Sequence, residues 1–193
     1  MVKKRMSKKA LISGGTGFIG SHVAEALLKR DWRIQIIDKY GFKDYQDLDI
    51  LKNHKNITFH EVDLKNFDQI ASITNDFDYI FHFAAKLGVA DVSNEPYEVL
   101  RTNISTTENI INYSLLNPNL NRFIFASTSE VYSGTQKHFN LTIPTPESEP
   151  LTIDSVSSPR SSYMLSKSIG ESLCHFSKLP VTILRPFNIY GSR

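Results

Sequence analysis

Cysteine occurs once in the 193 residues, at Cys174. A single thiol cannot close an internal disulfide, and there is no CxxC or HxxH cluster. A disulfide scaffold and a thiol-rich zinc site are therefore excluded, no bound metal is expected, and a reducing cytoplasm is the expected compartment. No apolar run reaches the length of about 18 residues that a membrane helix needs, and no apolar segment follows the basic start, so neither a span nor a signal peptide is expected. Glycine (9) and proline (8) are too sparse for collagen or for a low-complexity chain, and 40% hydrophobic with 22% charged residues is ordinary globular composition.

Charge is nearly balanced, at +2, yet Lys3, Lys4, Arg5, Lys8 and Lys9 all fall within the first nine residues. The remainder holds 17 basic against 20 acidic residues, a net charge of −3. Proteins that track a nucleic-acid backbone carry their positive charge as a patch on the folded surface, so a basic tail on an acidic body does not point to a nucleic-acid partner. Residues 1–8 are expected to be a solvated, disordered tail and residues 9–193 the folded domain.

Within that domain, strand-length apolar runs alternate with helical patterns. The runs are Ala10 to Ser13, Arg33 to Asp38, Ile57 to Val62, Tyr79 to Ala84, Arg122 to Ala126 and Val181 to Arg185. The helical patterns are Ile19 to Lys29, Phe67 to Ile73, Tyr97 to Leu116 and Ser161 to Lys178. This alternation predicts βαβ units with right-handed crossovers, hence an α/β fold with a doubly wound parallel sheet. Lys39 to Asn56 shows no clear strand. Ser133 to Pro159 carries four prolines and follows a strand end, where open α/β sheets place ligands, so it is read as an active-site flap, with a plain surface excursion as the other reading.

The first strand runs into Gly14-Gly15-Thr16-Gly17-Phe18-Ile19-Gly20, and a helix follows. Glycines in this context allow a tight turn off the strand, close approach of backbone to a pyrophosphate, and close packing of helix on strand. The free N–H groups and the positive helix end then favour an anion. The second strand ends at Asp38, where a carboxylate can accept hydrogen bonds from an adenosine ribose and repel a 2′-phosphate, which points to NAD rather than NADP. A turn or capping aspartate is the other reading of Asp38.

Tyr163 and Lys167 are four apart on a helix and share a face. A nearby ammonium is expected to favour the phenolate, so that the tyrosine can move a proton at neutral pH. The strand ending Ala126-Ser127-Thr128-Ser129-Glu130 supplies the context: strand carboxyl ends face the ligand in this fold, so Thr128 can hold the same substrate oxygen and Glu130 can move a second proton. Ser and Thr at strand ends are also common turn formers.

Together these segments resemble the extended short-chain dehydrogenase/reductase family, specifically its NAD-dependent nucleotide-sugar epimerases, dehydratases and decarboxylases. GGTGFIG from Gly14, Asp38, Asp63-Leu64, His82-Phe-Ala-Ala85, STSEVY from Ser127 to Tyr132, Tyr163xxxLys167 and Arg185-Pro-Phe-Asn-Ile-Tyr-Gly191 occur in the family's order. The resemblance implies a Rossmann domain that binds NAD and a reaction in which a sugar hydroxyl is oxidised transiently to a ketone before epimerisation, dehydration or decarboxylation. It implies Gly14, Gly17, Phe18, Ile19 and Gly20 at the pyrophosphate, Asp38 at the ribose, and Asp63 and Leu64 at the adenine. Ala84, Ala85 and Lys86 would line the pyrophosphate and nicotinamide ribose. Thr128, Tyr163 and Lys167 would be the catalytic set, with Ser129 and Glu130 beside it, where dehydratases carry Asp-Glu and decarboxylases of uronic acids carry Ser-Glu. Asn103 and Asn188 would lie near the nucleotide sugar. A homodimer through Tyr97 to Leu116 and Ser161 to Lys178 is also implied.

Other readings stay open beside these. His82 and Cys174 suit the core, and Asn103 suits a polar helix surface. Ser133 stands where the family usually has glycine. Family members are usually longer, with most of the substrate domain after the RPFNxYG segment, so the cofactor-binding portion is expected here with the sugar half largely absent, and the chain alone is expected to turn over nucleotide sugars poorly. A non-catalytic NAD-binding protein derived from the family is the alternative.

Overall fold

The computed structural model of the chain describes residues 7–41 and 48–192. Residues 1–6 of the expected tail lie outside this range, while the Lys8 ammonium sits over the rings of Trp32 and Tyr79, 5.2 and 5.0 Å from their centroids.

The elements follow one another as β1 (Lys9–Ser13), α1 (Phe18–Leu28), β2 (Arg33–Asp38), α2 (Asp49–Lys52), β3 (Ile57–Glu61), α3 (Phe67–Ala71) and β4 (Tyr79–His82). Then come α4 (Val89–Asn94), α5 (Pro96–Leu115), β5 (Arg122–Ala126), a 3-10 turn (Ser129–Tyr132), α6 (Ser133–His138), α7 (Ser161–Phe176) and β6 (Val181–Leu184). The six strands form one parallel sheet in the order β3-β2-β1-β4-β5-β6. The chain leaves β1 toward β2 on one side and later returns as β4 on the other. This reversal opens a crevice outside the carboxyl ends of β1 and β4, where such sheets bind ligands.

Side-chain alternation along each strand feeds two cores, one on each face. Leu11 of β1 packs with Ile80, Phe123, Phe125, Ile110, Tyr113 and Cys174 beneath α3, α5 and α7. Its neighbour Ile12 faces the opposite way, with Ile34, Ile36, Ala24 and Leu28 beneath α1. Gly20, Ala24 and Leu28 form the buried stripe of α1 at the helical spacing. Cys174 is therefore a core residue, as the sequence suggests.

Four elements had no clear pattern in the sequence: α2, α4, the 3-10 turn and α6. Each is six residues or fewer, too short for helical periodicity to emerge. The expected flap is consequently shorter than Ser133 to Pro159, since its start is helix α6. Gly134 lets the following loop approach: a Cβ there would collide with the Thr152 carbonyl. Thr135 Oγ1 donates to the Pro150 carbonyl at 2.5 Å and accepts from the Thr152 N–H at 3.1 Å, which pins the loop to α6. β4 stops at His82 rather than Ala84 because the chain turns away beneath Gly14.

Candidate active site and cofactor cradle

The glycine loop is built against the end of β4. Gly14 has φ +71°, a left-handed conformation that favours glycine, and a Cβ on it would lie 2.6 Å from the Ala84 backbone nitrogen. Gly20 faces the Gly14 carbonyl so closely that a side chain would clash. These two glycines are thus required by the protein's own packing of loop, strand and helix. Gly17 is different: its backbone is ordinary, and a Cβ would meet only the Gly14 carbonyl, at 3.3 Å. Gly17 also caps α1 without a side-chain hydrogen bond, so the first N–H groups of α1 have no cap from that residue. Phe18 and Ile19, the first residues of α1, are partly exposed at this end.

Asp38 lies beside this loop. Its Oδ2 accepts from Thr16 Oγ1 at 2.6 Å and from the Thr16 N–H at 3.2 Å, while Oδ1 accepts from the Tyr40 N–H at 3.2 Å. The turn reading of Asp38 is therefore realised, and it fixes the carboxylate at the edge of the cradle. Asp63 accepts from the Lys65 N–H at 3.0 Å and pairs with Lys39 at 3.5 Å, and the buried Leu64 presents its carbonyl to Asn109 at 2.8 Å. On the other side, Ala84, Ala85 and Lys86 follow β4, with Lys86 paired to Glu95, which raises the Lys86 pKa chiefly through that hydrogen bond.

Asn103 is not a surface position: it is 2% exposed. Its Oδ1 accepts from the Lys86 N–H at 2.7 Å, and its Nδ2 donates to the Lys86 carbonyl at 3.0 Å and to Ser166 Oγ at 3.2 Å. Both amide protons are consumed, so this side chain anchors the 84–86 loop to α5 and α7 and has no donor left for a ligand.

The end of β5 carries the catalytic candidates. Thr128 is buried and its hydroxyl accepts from the Glu130 N–H at 3.2 Å, capping the 3-10 turn; the Ser129 N–H donates to the Pro186 carbonyl at 3.0 Å. From α7, the buried Lys167 donates through Nζ to the Ala126 carbonyl at 2.8 Å, with Nζ 5.7 Å from the Tyr163 ring centroid and 5.1 Å from that of Phe125. The structure thus brings Lys167 and Tyr163 to the strand end that holds Thr128.

One sequence expectation requires correction. Lys167 was expected to favour the Tyr163 phenolate, but burial first, and the Glu130 charge second, raise the Tyr163 pKa. The physical reason is enclosure of the phenol beside a carboxylate, while the Lys167 ammonium gives its hydrogen bond to the Ala126 carbonyl rather than to the phenol.

Three residues escaped the sequence reading. Glu171 is buried and accepts from Ser127 Oγ at 2.5 Å, from Arg185 Nε at 2.9 Å and from Arg185 Nη2 at 2.6 Å. Burial pushes its carboxyl up, but the Arg185 and Ser127 hydrogen bonds outweigh that and hold its pKa below the ordinary value. Arg185 also donates to Tyr132 Oη at 2.5 Å and to the Glu147 carbonyl at 3.1 Å, so one guanidinium ties β6, α7, the 3-10 turn and the flap together. Glu171 was findable: it falls four residues after Lys167, an acid on a buried helix face. Arg160 is the third, joined to Glu130 by two hydrogen bonds, Nε to Oε2 at 3.2 Å and Nη2 to Oε1 at 3.0 Å. Asn188 lies in the exposed segment after β6, which passes the cradle where Gly191 adjoins the Phe18 ring.

The same order of segments defines a known family. A family description, the NAD dependent epimerase/dehydratase family, matches residues 10–193. The chain belongs to that family. Among its relatives is the UDP-N-acetyl-alpha-D-glucosaminuronate decarboxylase of Bacillus cytotoxicus, 37% identical over 97% of this chain and 56% of the relative. Another is the UDP-glucuronate 4-epimerase of Thermodesulfobacterium geofontis, 29% identical over 94% of this chain and 56% of the relative. Among solved structures, the Bordetella bronchiseptica enzyme WbmH in complex with NAD+ superposes with a TM-score of 0.75 at 28% identity, covering 93% of this chain and 56% of that one. The chain spans about half the length of the curated relatives it matches. In this epimerase/dehydratase family, the part shared with this chain is the sheet with its glycine loop and the Tyr163, Lys167 helix. Among the described residues no group of three or more His, Cys, Asp or Glu could hold a metal, and no helix is long and apolar enough to cross a membrane.

Proposed function

We propose that the chain is the NAD-binding portion of a nucleotide-sugar epimerase, dehydratase or decarboxylase and carries that enzyme's proton-moving residues. The observation that carries this reading is the meeting of Lys167 and Tyr163 from α7 with the Thr128 end of β5, beside a glycine loop whose Gly17 packing alone only mildly demands. A phosphate approaching the α1 N-terminus closely would supply the further reason for glycine there. Gly14, Gly17, Phe18, Ile19 and Gly20 would face the pyrophosphate, Asp38 the adenosine ribose, Asp63 and Leu64 the adenine, and Ala84, Ala85 and Lys86 the nicotinamide half.

NAD held by these residues would supply the hydride acceptor and donor for the sugar carbon. Tyr163 takes the proton of the sugar hydroxyl, Thr128 holds that oxygen by a hydrogen bond, and Lys167, anchored on the Ala126 carbonyl, orients the nicotinamide ribose beside Tyr163. Ser129 and Glu130 stand where a second proton can be handled once the sugar is a ketone. Asn103 acts by holding the 84–86 loop, and Asn188 lies on the side from which the nucleotide end would enter. Both curated relatives named above are named for UDP-linked uronates, which favours an acidic sugar as substrate.

A homodimer through α5 and α7 fits the apolar groove those helices share, and a cytoplasmic location fits the lone buried thiol. Calorimetric titration with both dinucleotides tests the cofactor: NAD should bind at least about tenfold more tightly than NADP, because Asp38 faces the added phosphate. Equal or reversed affinities overturn the Asp38 assignment. Turnover of nucleotide sugars by a chain that includes these residues, followed by NMR of the products, should be abolished by Tyr163→Phe; retained turnover overturns the proton role.

A further inference from the structure

Arg160 ends the flap, at the residue before α7, three positions ahead of Tyr163. Its side chain is 76% exposed, yet it is held in one orientation by the paired hydrogen bonds to Glu130. Those bonds use Nε and Nη2, one edge of the guanidinium. The end-on fork, Nη1 with the second proton of Nη2, makes no protein hydrogen bond among the described residues, and a planar fork of this kind matches a carboxylate. An exposed ion pair adds little to stability, so stability does not explain why the guanidinium is fixed there.

We infer that Arg160 holds the carboxylate of a nucleotide-linked uronic acid through its free edge, with Glu130 as the positioning residue that aims the guanidinium. This rests on the nucleotide-sugar reading above. The anion in question belongs to the sugar rather than to the diphosphate because Arg160 is one helical turn from the phenol that must reach the sugar hydroxyl. The charge of Glu130 is felt at Tyr163, which places the pair within electrostatic reach of the reacting end. In that reading the diphosphate would lie on the far side of the sugar, toward the segment that carries Asn188. Glu130 would otherwise repel an acidic sugar; paired with Arg160 it presents a neutral unit with a donor edge.

The test uses NAD-loaded protein that includes these residues together with the sugar-binding half, and two calorimetric probes, UDP-glucuronate and UDP-glucose, which share the nucleotide and differ in the carboxylate. The uronate should bind about tenfold or more tightly than the neutral sugar. Arg160→Gln should bring the two affinities together, Arg160→Lys should keep part of the preference, and Glu130→Gln should reduce the ratio of the two affinities. A structural lesion would weaken both probes alike and leave their ratio intact, so the ratio is the readout. Equal affinities in the unaltered chain, or a preference that survives Arg160→Gln, overturn the inference. Equal weakening of both probes by Arg160→Gln leaves the ratio intact and also overturns it. Binding of neither probe overturns the nucleotide-sugar reading itself, and this inference with it.

Discussion

His82 shows how a single buried group links the cradle to α5. Its imidazole lies between Ser13 Oγ, at 2.7 Å, and Thr107 Oγ1, at 3.2 Å, and stacks on Phe125 with ring centroids 5.9 Å apart. Burial first, and the charge of Lys167 second, hold its pKa down to about 3 from the ordinary 6.5. The folded protein therefore keeps His82 neutral where the unfolded chain would protonate it. Stability present above pH 6.5 is lost as the pH falls through that window toward 3. In His82→Gln this loss should disappear. The unfolding free energy of the wild type minus that of the variant should fall on acidification below pH 6.5, by at most about 1.4 kcal/mol per pH unit. Denaturant titrations at pH 7, 6, 5 and 4 check this, and a difference that stays flat would mean that the imidazole is not buried neutral. Ser13 immediately precedes Gly14, so the same side chain also steadies the turn into the glycine loop.

At the scale of elements, the Glu171–Arg185 pair does for β6, α7 and the flap what Asn103 does for the 84–86 loop. Glu171 is 5% exposed, so its charge depends on the guanidinium for solvation. Removing one member of such a pair typically costs about 3–5 kcal/mol, whereas replacing both with apolar groups of similar size is often close to neutral. Arg185→Met should therefore cost about 3 kcal/mol, and Arg185→Met with Glu171→Leu less than that, as read from urea denaturation of all four members of the cycle. A double variant less stable than Arg185→Met alone would show that the carboxylate left behind in that single variant is not the source of its cost. Arg185 also holds the Glu147 carbonyl, so the single variant should make the 139–160 stretch a faster target for limited proteolysis than in the wild type.

For the whole molecule, the decisive surface is the groove between α5 and α7. Leu115 and Ile111 line it from α5, Leu165, Ile169 and Phe176 from α7, and Ile153 from the flap. Phe176 is 85% exposed and Leu115 49%, a pattern that a second copy of the chain would cover. Light scattering at rising concentration should report a dimer, and Phe176→Glu with Ile169→Glu should convert it to a monomer without changing NAD affinity. A strict monomer in the unaltered chain at high concentration overturns this arrangement. Because Ile153 lies in the 139–160 stretch, that stretch borders the groove between α5 and α7.

What the amino-acid sequence determined by itself is what repeats locally. Apolar runs of strand length specified the strands, and all six lie within a residue or two of the expected limits, because parallel strands covered on both faces read as near-continuous apolar runs. The four longer patterns became α1, α3, α5 and α7 for the corresponding helical reason. The glycine loop was legible because its Gly14 and Gly20 are demanded by backbone geometry, which depends on neighbours in the chain and on one strand beside them. Tertiary structure alone decided the rest. It buried Asn103 and spent its amide on Lys86, turned Asp38 onto Thr16, and joined Glu130 to Arg160 across 30 residues. It also set Glu171 against Arg185, and reversed the expected direction of the Tyr163 pKa by enclosing the phenol with Glu130 while Lys167 bonded to a carbonyl. The physical reason is the same throughout. Periodicity records which face of an element meets the core, whereas hydrogen bonds and charge environments belong to pairs of groups far apart in sequence, whose meeting only the folded chain specifies.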